Sequence, residues 1–189
     1  MADLALTPLT PLGHAAPMTE QIGQYSLTEL ADLGLASLAL RRGGTSEAVS
    51  ERLGFALPGP GHWTGAPDGT LAAIWTGQDQ WLVEYPGRAS EDVAADLATR
   101  IGPDASISEQ TGAFAAFRIE GTALDAVLER LSPIDPHMLG PGTAQRSIVH
   151  HLGCILVRRA DTCLDLLGPG SAAAFLHHAL DLALRRAPH

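Results

Sequence analysis

Short apolar runs recur along the chain, and most of them are bounded by glycine, proline or polar residues. The run LASLALRR (35–42) alternates apolar and polar positions, as a strand with one buried face does. LAAIWT (71–76) and WLVEY (81–85) are apolar and β-prone, and the short GQDQ turn between them predicts an antiparallel hairpin. Four further runs in the second half are predicted strands: GAFAAFRIEG (112–121), AQRSIVHH (144–151), CILVRR (154–159) and TCLDLL (162–167).

Four helices are predicted between or after these strands, from capping residues and from the spacing of apolar positions. A short helix over SEAVSERLGF is capped by Thr45 or Ser46 and ends at Gly54. The segment PGRASEDVAADLATRIG carries Ser90 as its predicted cap, and the closing segment GPGSAAAFLHHALDLALRR carries Ser171. In TALDAVLERL the apolar residues recur at i, i+3, i+4 and i+7, which places them on one helix face: Leu124, Val127, Leu128 and Leu131.

The order of predicted elements repeats in the two halves of the chain, which indicates two related lobes. We therefore predict an α+β fold of two small lobes, each an antiparallel sheet with helices packed on one face, in a duplicated ferredoxin-like arrangement. The predicted boundaries are 31–103 for the first lobe and 104–189 for the second. Residues 1–30 contain no arginine and carry a Thr-Pro-Leu repeat (7–12), so they are predicted to form an arm that is loose or lies on a partner.

Composition and charge exclude several classes of protein. Hydrophobic residues make up 46% of the 189 positions and charged residues 17%, which is a globular rather than a disordered composition. The formal net charge of −9 argues against a nucleic-acid backbone or an anionic membrane as partner. No run of 18 apolar residues is present, and the first residues lack the positive segment of a signal peptide. A cytoplasmic protein is therefore expected.

The chain contains no lysine, because all 12 basic residues are arginines. This composition excludes a Schiff base, a pyridoxal site, the phosphate-loop lysine and a lysine general base. The two cysteines, Cys154 and Cys163, are expected to be small buried apolar residues rather than a disulfide or a metal pair.

Ser132, Asp135 and His137 are the residue types of a hydrolase triad and lie within six positions of one another. Pro133 lacks an amide N–H and disfavours helical geometry at the residue before it, so the segment is predicted to end a helix and begin a turn. A triad is normally assembled from distant segments, and the sequence RLSPI lacks the G-x-S-x-G pattern of a nucleophile elbow. We interpret the segment as a helix stop.

Other candidate sites are weaker still. His150 and His151 lie in a predicted strand, so their rings are expected on opposite sides of the sheet, and with the two cysteines they match no zinc pattern. A second histidine pair, His177 and His178, falls at the border of a predicted helix face. Three glycine-rich stretches lack the fingerprint of a dinucleotide or phosphate loop: GPGHWTG, LGPGT and GPGS. Two carboxylate pairs have the i, i+4 spacing of a solvated helix surface: Glu47 with Glu51, and Asp125 with Glu129.

The order of motifs in the second half resembles the gamma-subunit family of heterotetrameric sarcosine oxidases. A strand with Arg118 and Gly121 leads into a helix that ends in Ser-Pro-hydrophobic-Asp at 132–135. Further matches follow in the same order: Pro141, Gly142 and Ser147, and then Pro169, Gly170 and Ser171. In the first half, GQDQWLVEYP (77–86) is similar to a G-x-D-x-W-L stretch of that family, and the likeness covers about residues 30–186.

This resemblance implies a fold related to the amino-terminal part of aminomethyltransferases and an accessory role in sarcosine demethylation. It implies that FAD, FMN, NAD, tetrahydrofolate and zinc belong to the alpha, beta and delta subunits of the complex, and that none of them is bound by this chain. No catalytic, cofactor-binding or metal-ligating residue is assigned. Two alternatives stay open: a stand-alone folate-binding or one-carbon transfer protein, and the equivalent subunit of a dehydrogenase acting on another N-methyl amino acid.

Overall fold

The structure, a computed structural model, describes residues 8–187. The strands of the first part are β1 (Thr19–Ile22), β2 (Tyr25–Glu29), β3 (Gly34–Leu40), β4 (Trp63–Gly65), β5 (Ala72–Gly77), β6 (Gln80–Tyr85) and β7 (Ala105–Glu109). The later strands are β8 (Phe114–Glu120), β9 (Ala144–Val149), β10 (Leu152–Ala160) and β11 (Cys163–Pro169). The α-helices are α1 (Ser46–Leu53), α2 (Val93–Ile101), α3 (Leu124–Leu131) and α4 (Ala173–Arg186). No helix in this described range is long and apolar enough to cross a membrane.

Two antiparallel sheets form the frame of the molecule. The small sheet has five strands in the order β4-β5-β6-β3-β7, and the large sheet has six in the order β1-β2-β8-β11-β10-β9. Helices α1 and α2 cover the outer face of the small sheet, where alternate strand residues such as Leu38 and Val83 are buried together with Leu97 of α2. Helices α3 and α4 cover the outer face of the large sheet over a core that includes Phe117 and Leu128. The predicted α+β class, with helices on one face of each antiparallel sheet, is confirmed.

The inner faces of the two sheets pack on each other and make a third core. Alternation along each strand sends every second side chain inward, so Leu35 and Leu82 of the small sheet meet Val157 and Leu167 of the large sheet. The molecule is therefore a four-layer sandwich of helices, sheet, sheet and helices.

The pairing of strands does not follow the predicted arm and lobe boundaries. The first residues of the predicted arm, 1–7, lie outside the described residues, but residues 19–29 form β1 and β2. Strand β2 pairs with β8, so this part of the arm belongs to the large sheet. Strand β7, placed by prediction in the second lobe, instead pairs with β3 in the small sheet. Strands β1, β2 and β7 are short. Their local sequence signal is an alternation of apolar and polar residues, as at Tyr25 and Leu27 in β2, and this alternation does not show which strand is the partner.

Two of the three predicted helix caps are wrong. Thr45 caps α1 by accepting a hydrogen bond from the Ala48 N–H, as expected. Helix α2 is capped by Asp92, whose Oδ1 accepts from the Ala95 N–H at 2.9 Å, rather than by Ser90. Helix α4 begins after a short 3-10 turn over Gly170–Ala172, which includes Ser171, and no side chain caps it.

A buried carboxylate fixes the N-terminal segment to the large sheet. Glu29 is almost fully buried, and its two carboxylate oxygens accept hydrogen bonds from the N–H groups of Leu12 (3.0 Å) and Met18 (3.3 Å). A carboxylate buried without donors would be costly, so these two amides stabilise Glu29 and Glu29 in turn orders residues 12–18.

Replacing Glu29 with alanine is therefore expected to release this segment. Hydrogen bonds to a charged acceptor contribute about 1.5–3 kcal/mol each, so the Leu12 and Met18 amides should exchange with solvent at least about tenfold faster. Amide hydrogen exchange read at single residues measures this. Glu51→Ala, at an exposed position, is the matched control and should change neither amide. Unchanged exchange at Leu12 and Met18 in the Glu29 variant would show that other contacts hold the segment.

Candidate functional site

Four charged side chains lie on the inner faces of the two sheets, at positions that alternation would otherwise give to apolar residues. Glu84 follows Leu82 on β6 of the small sheet. The other three come from neighbouring strands of the large sheet: Arg118 on β8, Arg159 on β10 and Asp165 on β11. We call these four residues the ionic network.

Arg159 is the centre of the ionic network and joins the two sheets. Its Nη2 donates to both carboxylate oxygens of Glu84, at 2.6 and 2.7 Å, and its Nε donates to Asp165 Oδ2 at 2.7 Å. Arg118 approaches Asp165 from the other side with two parallel bonds, from Nε to Oδ1 at 2.7 Å and from Nη2 to Oδ2 at 2.9 Å. Both carboxylates are almost fully buried, and each is held by at least one guanidinium.

The contacts within the network keep its arginines charged. Hydrogen bonding to Asp165, together with its negative charge, raises the pKa of Arg118 above its ordinary value in spite of partial burial. Burial works against the charge of Arg159, but the negative charges of Glu84 and Asp165 outweigh it and the pKa of Arg159 is raised as well. Neither guanidinium can lose its proton and act as a general acid near neutral pH.

The ionic network forms one wall of a cavity of about 610 Å³ between the two sheets, which we call the central cavity. Trp63 lies on another wall, with the Arg159 guanidinium 4.3 Å from the centre of its ring and its indole N–H donating to the Arg158 carbonyl at 2.9 Å. Arg118 lines the cavity with a side chain that is 36% exposed, and Asp32 contributes an exposed carboxylate. The remaining lining is mostly apolar: Leu30, Leu33, Gly65, Ala66, Gly69, Leu71, Ala72 and Pro86.

Most charged groups of the central cavity are already bonded to one another. Its buried carboxylates already accept hydrogen bonds from arginines, and an acceptor saturated in this way is a poor general base. No serine, cysteine or histidine is among its lining residues in the described part of the chain. What remains for a ligand is the aromatic face of Trp63, the outer edge of Arg118 and the carboxylate of Asp32.

The triad-like residues form a helix stop, as predicted. Helix α3 ends at Leu131, and Ser132 adopts extended backbone as its C-cap. The Ser132 hydroxyl lies 2.7 Å from the Ser147 hydroxyl, and Asp135 Oδ1 accepts from the His137 N–H to start a short 3-10 turn. No hydrogen bond among the described residues links the three side chains as a triad requires.

The prediction that His150 and His151 lie within a strand is wrong. Both have positive φ, 47° and 84°, and form the two-residue turn between β9 and β10. Such turns need left-handed backbone at both positions, and Asn-Gly is their usual sequence signal. A His-His pair is not such a signal, so the turn could not be predicted from these two residues. Within residues 8–187 no group of three or more His, Cys, Asp or Glu side chains is placed to hold a metal ion.

The other singled-out residues have structural positions. Glu47, Glu51 and Glu129 are exposed, whereas Asp125 lies 3.3 Å from the buried Arg158 guanidinium and so is more than a solvated surface residue. Gly121 permits a close approach, because a Cβ there would lie 2.5 Å from the Tyr25 ring.

The two cysteines are free thiols, with Cys154 buried and Cys163 partly buried. Burial raises the pKa of the Cys154 thiol to about 11. Burial and then the nearby charge of Asp165 also raise the pKa of Cys163.

Because only the thiolate is alkylated, this raised pKa predicts a particular pH dependence. At pH 8 about one Cys154 thiol in a thousand is ionised, so its reaction with iodoacetamide should speed up about tenfold for each pH unit between 8 and 10. Mass spectrometry of the modified peptide follows the rate, and the Cys163→Ser variant isolates the Cys154 reaction. A rate that levels off below pH 9 would contradict the assignment.

Comparisons with known proteins place this fold. No protein-family model matches the sequence, and no curated protein matches it. The structure is similar to a chain of heterotetrameric sarcosine oxidase from Corynebacterium sp. U-96, solved with pyrrole 2-carboxylate: the TM-score is 0.78 and the sequence identity 21%, over 96% of this chain and 98% of that one. It is also similar to aminomethyltransferase T of the glycine cleavage system from Bartonella henselae, with a TM-score of 0.63 and 14% identity. That alignment covers 84% of this chain but 48% of the aminomethyltransferase, so the chain spans about half of that protein.

Proposed function

We propose that the chain is the non-catalytic gamma subunit of a heterotetrameric sarcosine oxidase and supports the assembly of the subunits that demethylate sarcosine to glycine. One observation carries this proposal: the fold matches a chain of such an oxidase from end to end, over 96% of this protein and 98% of that chain.

The geometry of the central cavity supports the same proposal. Its buried carboxylates are bonded to arginines of the same chain, so the ionic network holds the two sheets together and leaves little free polar chemistry. In this proposal FAD, FMN, NAD, tetrahydrofolate and zinc are carried by the alpha, beta and delta subunits. The chain works in the cytoplasm by contact with these partners, without nucleic acid or membrane.

Co-expression tests the proposal directly. The four subunits of the same organism are produced together, with and without this chain, and the complex is measured by size-exclusion chromatography and its flavin absorbance. We expect the full set to give a flavin-containing heterotetramer that oxidises sarcosine. Omitting this chain should greatly reduce the amount of that complex, and the chain alone should not oxidise sarcosine. A purified chain that does not join the other three subunits would refute the proposal. Activity of the complex on another N-methyl amino acid instead of sarcosine would keep the accessory role and change the substrate.

A stand-alone folate-binding protein is the second candidate, favoured by the central cavity itself. The cavity has room for a planar ring beside Trp63, and Asp32 supplies a carboxylate that is not bonded to a side chain in the described residues. The buried Glu84 and Asp165 do not fit a pterin, because their oxygens already accept from arginines.

Calorimetry with tetrahydrofolate separates the two candidates. The accessory-subunit proposal expects no saturable binding by the isolated chain. The alternative expects binding that is lost in Asp32→Asn and Trp63→Ala and kept in Asp79→Asn, where the exposed carboxylate is remote from the cavity lining.

A further inference from the structure

Strand β9 forms one edge of the large sheet and, among the residues that the structure describes, pairs only with β10. The two-residue turn makes Val149 and Leu152 a hydrogen-bonded pair, and antiparallel pairs alternate between bonded and non-bonded. The N–H and C=O groups of Arg146 and Ile148 therefore point away from β10, towards the free edge. The start of the strand is covered, because the Ala144 N–H donates to the Gly61 carbonyl at 2.9 Å.

This edge strand is longer than the strands at the other three sheet edges. The other edge strands have four residues in β1, three in β4 and five in β7, whereas β9 has six. The β9 pairing runs without a register shift, and the strand contains no proline. Proteins normally protect such edges with bulges, prolines or very short strands, because free backbone groups accept a further strand.

Exposed apolar side chains lie on this edge and in the turn before it. Ile148 is 56% exposed and Met138 is 65% exposed, and the Met138 carbonyl accepts a hydrogen bond from Gln145 of β9. A depression of about 120 Å³ beside the strand is lined by Phe114, Arg146, Ser147, Gly153, Cys154 and Ile155. A strand added at this edge would lie beside the exposed Ile148 side chain.

The surroundings of β9 are cationic although the whole chain carries a net charge of −9. Between residues 130 and 153 the only carboxylate is Asp135, which already accepts from the His137 N–H. At the end of β9 a cavity of about 340 Å³ is lined by Arg130, His150 and Arg186 together with Leu182 and Ala183. None of these arginines, nor Arg146, makes an ion pair within residues 8–187, so an acidic partner segment has charge complementarity here.

We propose that the free edge of β9 is the docking surface for an extended, acidic segment of another subunit of the oxidase. This inference rests on the proposed function. The segment adds a seventh strand to the large sheet through the backbone groups of Arg146 and Ile148, places an apolar side chain against Ile148, and presents carboxylates to Arg146 and to the cationic cavity.

Two variants and two matched controls test the surface. Ile148→Pro removes an outward N–H without breaking the ladder to β10, and Arg146→Glu reverses the charge. Gln21→Pro is the control for proline, because Gln21 pairs with Ser26 in a non-bonded pair on β1, the opposite edge of the sheet. Arg42→Glu is the control for charge, at an exposed position away from β9.

The experiment is a competition during co-expression. Each variant and the wild-type chain, carrying different tags, compete for the alpha, beta and delta subunits, and mass spectrometry measures their ratio in the purified complex. We expect Ile148→Pro and Arg146→Glu to enter the complex at least about tenfold less often than the wild type, and the two controls to enter nearly equally.

Hydrogen exchange on the wild-type complex gives a second readout that does not depend on variant folding. We expect the Arg146 and Ile148 amides to exchange at least about tenfold more slowly in the complex than in the free chain. Equal incorporation of all variants, or unchanged exchange at both amides in an assembled complex, overturns this inference alone. A wild-type chain that enters no complex refutes the proposed function and the inference with it. Protection that appears in the free chain as it dimerises shows a second copy as the occupant and overturns the inference.

Discussion

Replacing Arg159 with alanine is expected to lower the free energy of unfolding by about 3–5 kcal/mol, the usual cost of removing one partner of a buried ion pair. The variant leaves Glu84 without the only guanidinium partner that it has in the described part of the chain, and it removes one of the two that hold Asp165. It also removes the cation that lies over the Trp63 ring and the main polar link between the two sheets. Urea unfolding followed by circular dichroism and by tryptophan fluorescence measures the loss.

The double variant Arg159→Met with Glu84→Gln tests whether the loss comes from the unpaired charge of Glu84. It deletes the charge that the single variant leaves unpaired, while Asp165 keeps Arg118, so it should recover roughly half of the loss or more. Arg185→Ala is the matched control: that arginine also contacts two carboxylates, but it is exposed, and its loss should cost less than about 1 kcal/mol. Equal stability of the Arg159 and Arg185 variants would show that the network does not stabilise the fold.

The second large effect is expected at Phe117, where alanine should cost about 3–5 kcal/mol. Phe117 is fully buried on the outer face of the large sheet, under the helices, with its ring centre 5.9 Å from that of His177 on α4. Its removal leaves a cavity at the centre of the largest core, where neither sheet nor helices can close it without shifting. Urea unfolding again gives the difference from the wild type.

The chain supplies the same substitution at an exposed position as a control. Phe175 lies on α4 and is 49% exposed, so Phe175→Ala should change stability by less than about 1 kcal/mol. If the two phenylalanine variants lost similar stability, the assignment of Phe117 to the helix-covered series of β8 would be wrong.

The order of elements could be predicted because it follows from local patterns. The alternation of LASLALRR, the GQDQ hairpin and the helix ending at Ser132 all depend on neighbouring residues, and all three are present in the structure. Strand partners depend on contacts across the chain. Nothing local in β7 shows that it pairs with β3. The paired residues Ser37 and Ser108 are 71 positions apart, so this pairing across the predicted lobe boundary could not be predicted.

The ionic network was not predicted, for a related reason, although the sequence does indicate two of its members. Glu84 within WLVEY and Asp165 within CLDLL are single charges inside apolar strands, and a charge in such a position usually has a buried partner. The sequence could identify two buried carboxylates in this way. It could not show that Arg159 lies between them, since that requires the two sheets to be packed face to face.

The interleaving of strands between the sheets has a consequence for synthesis on the ribosome. The small sheet cannot be completed until β7 has emerged, and β2 must wait for β8, whose pairing residues lie about 90 positions later. The hairpin of β1 and β2 therefore stays without its partner strand for most of translation. A fragment that ended at residue 103 would lack β7, an edge strand of the small sheet, and would still carry β1 and β2, which belong to the large sheet. The first half of this polypeptide therefore cannot complete its sheet until the second half has begun to emerge, and the large sheet is completed with two strands made at the very start.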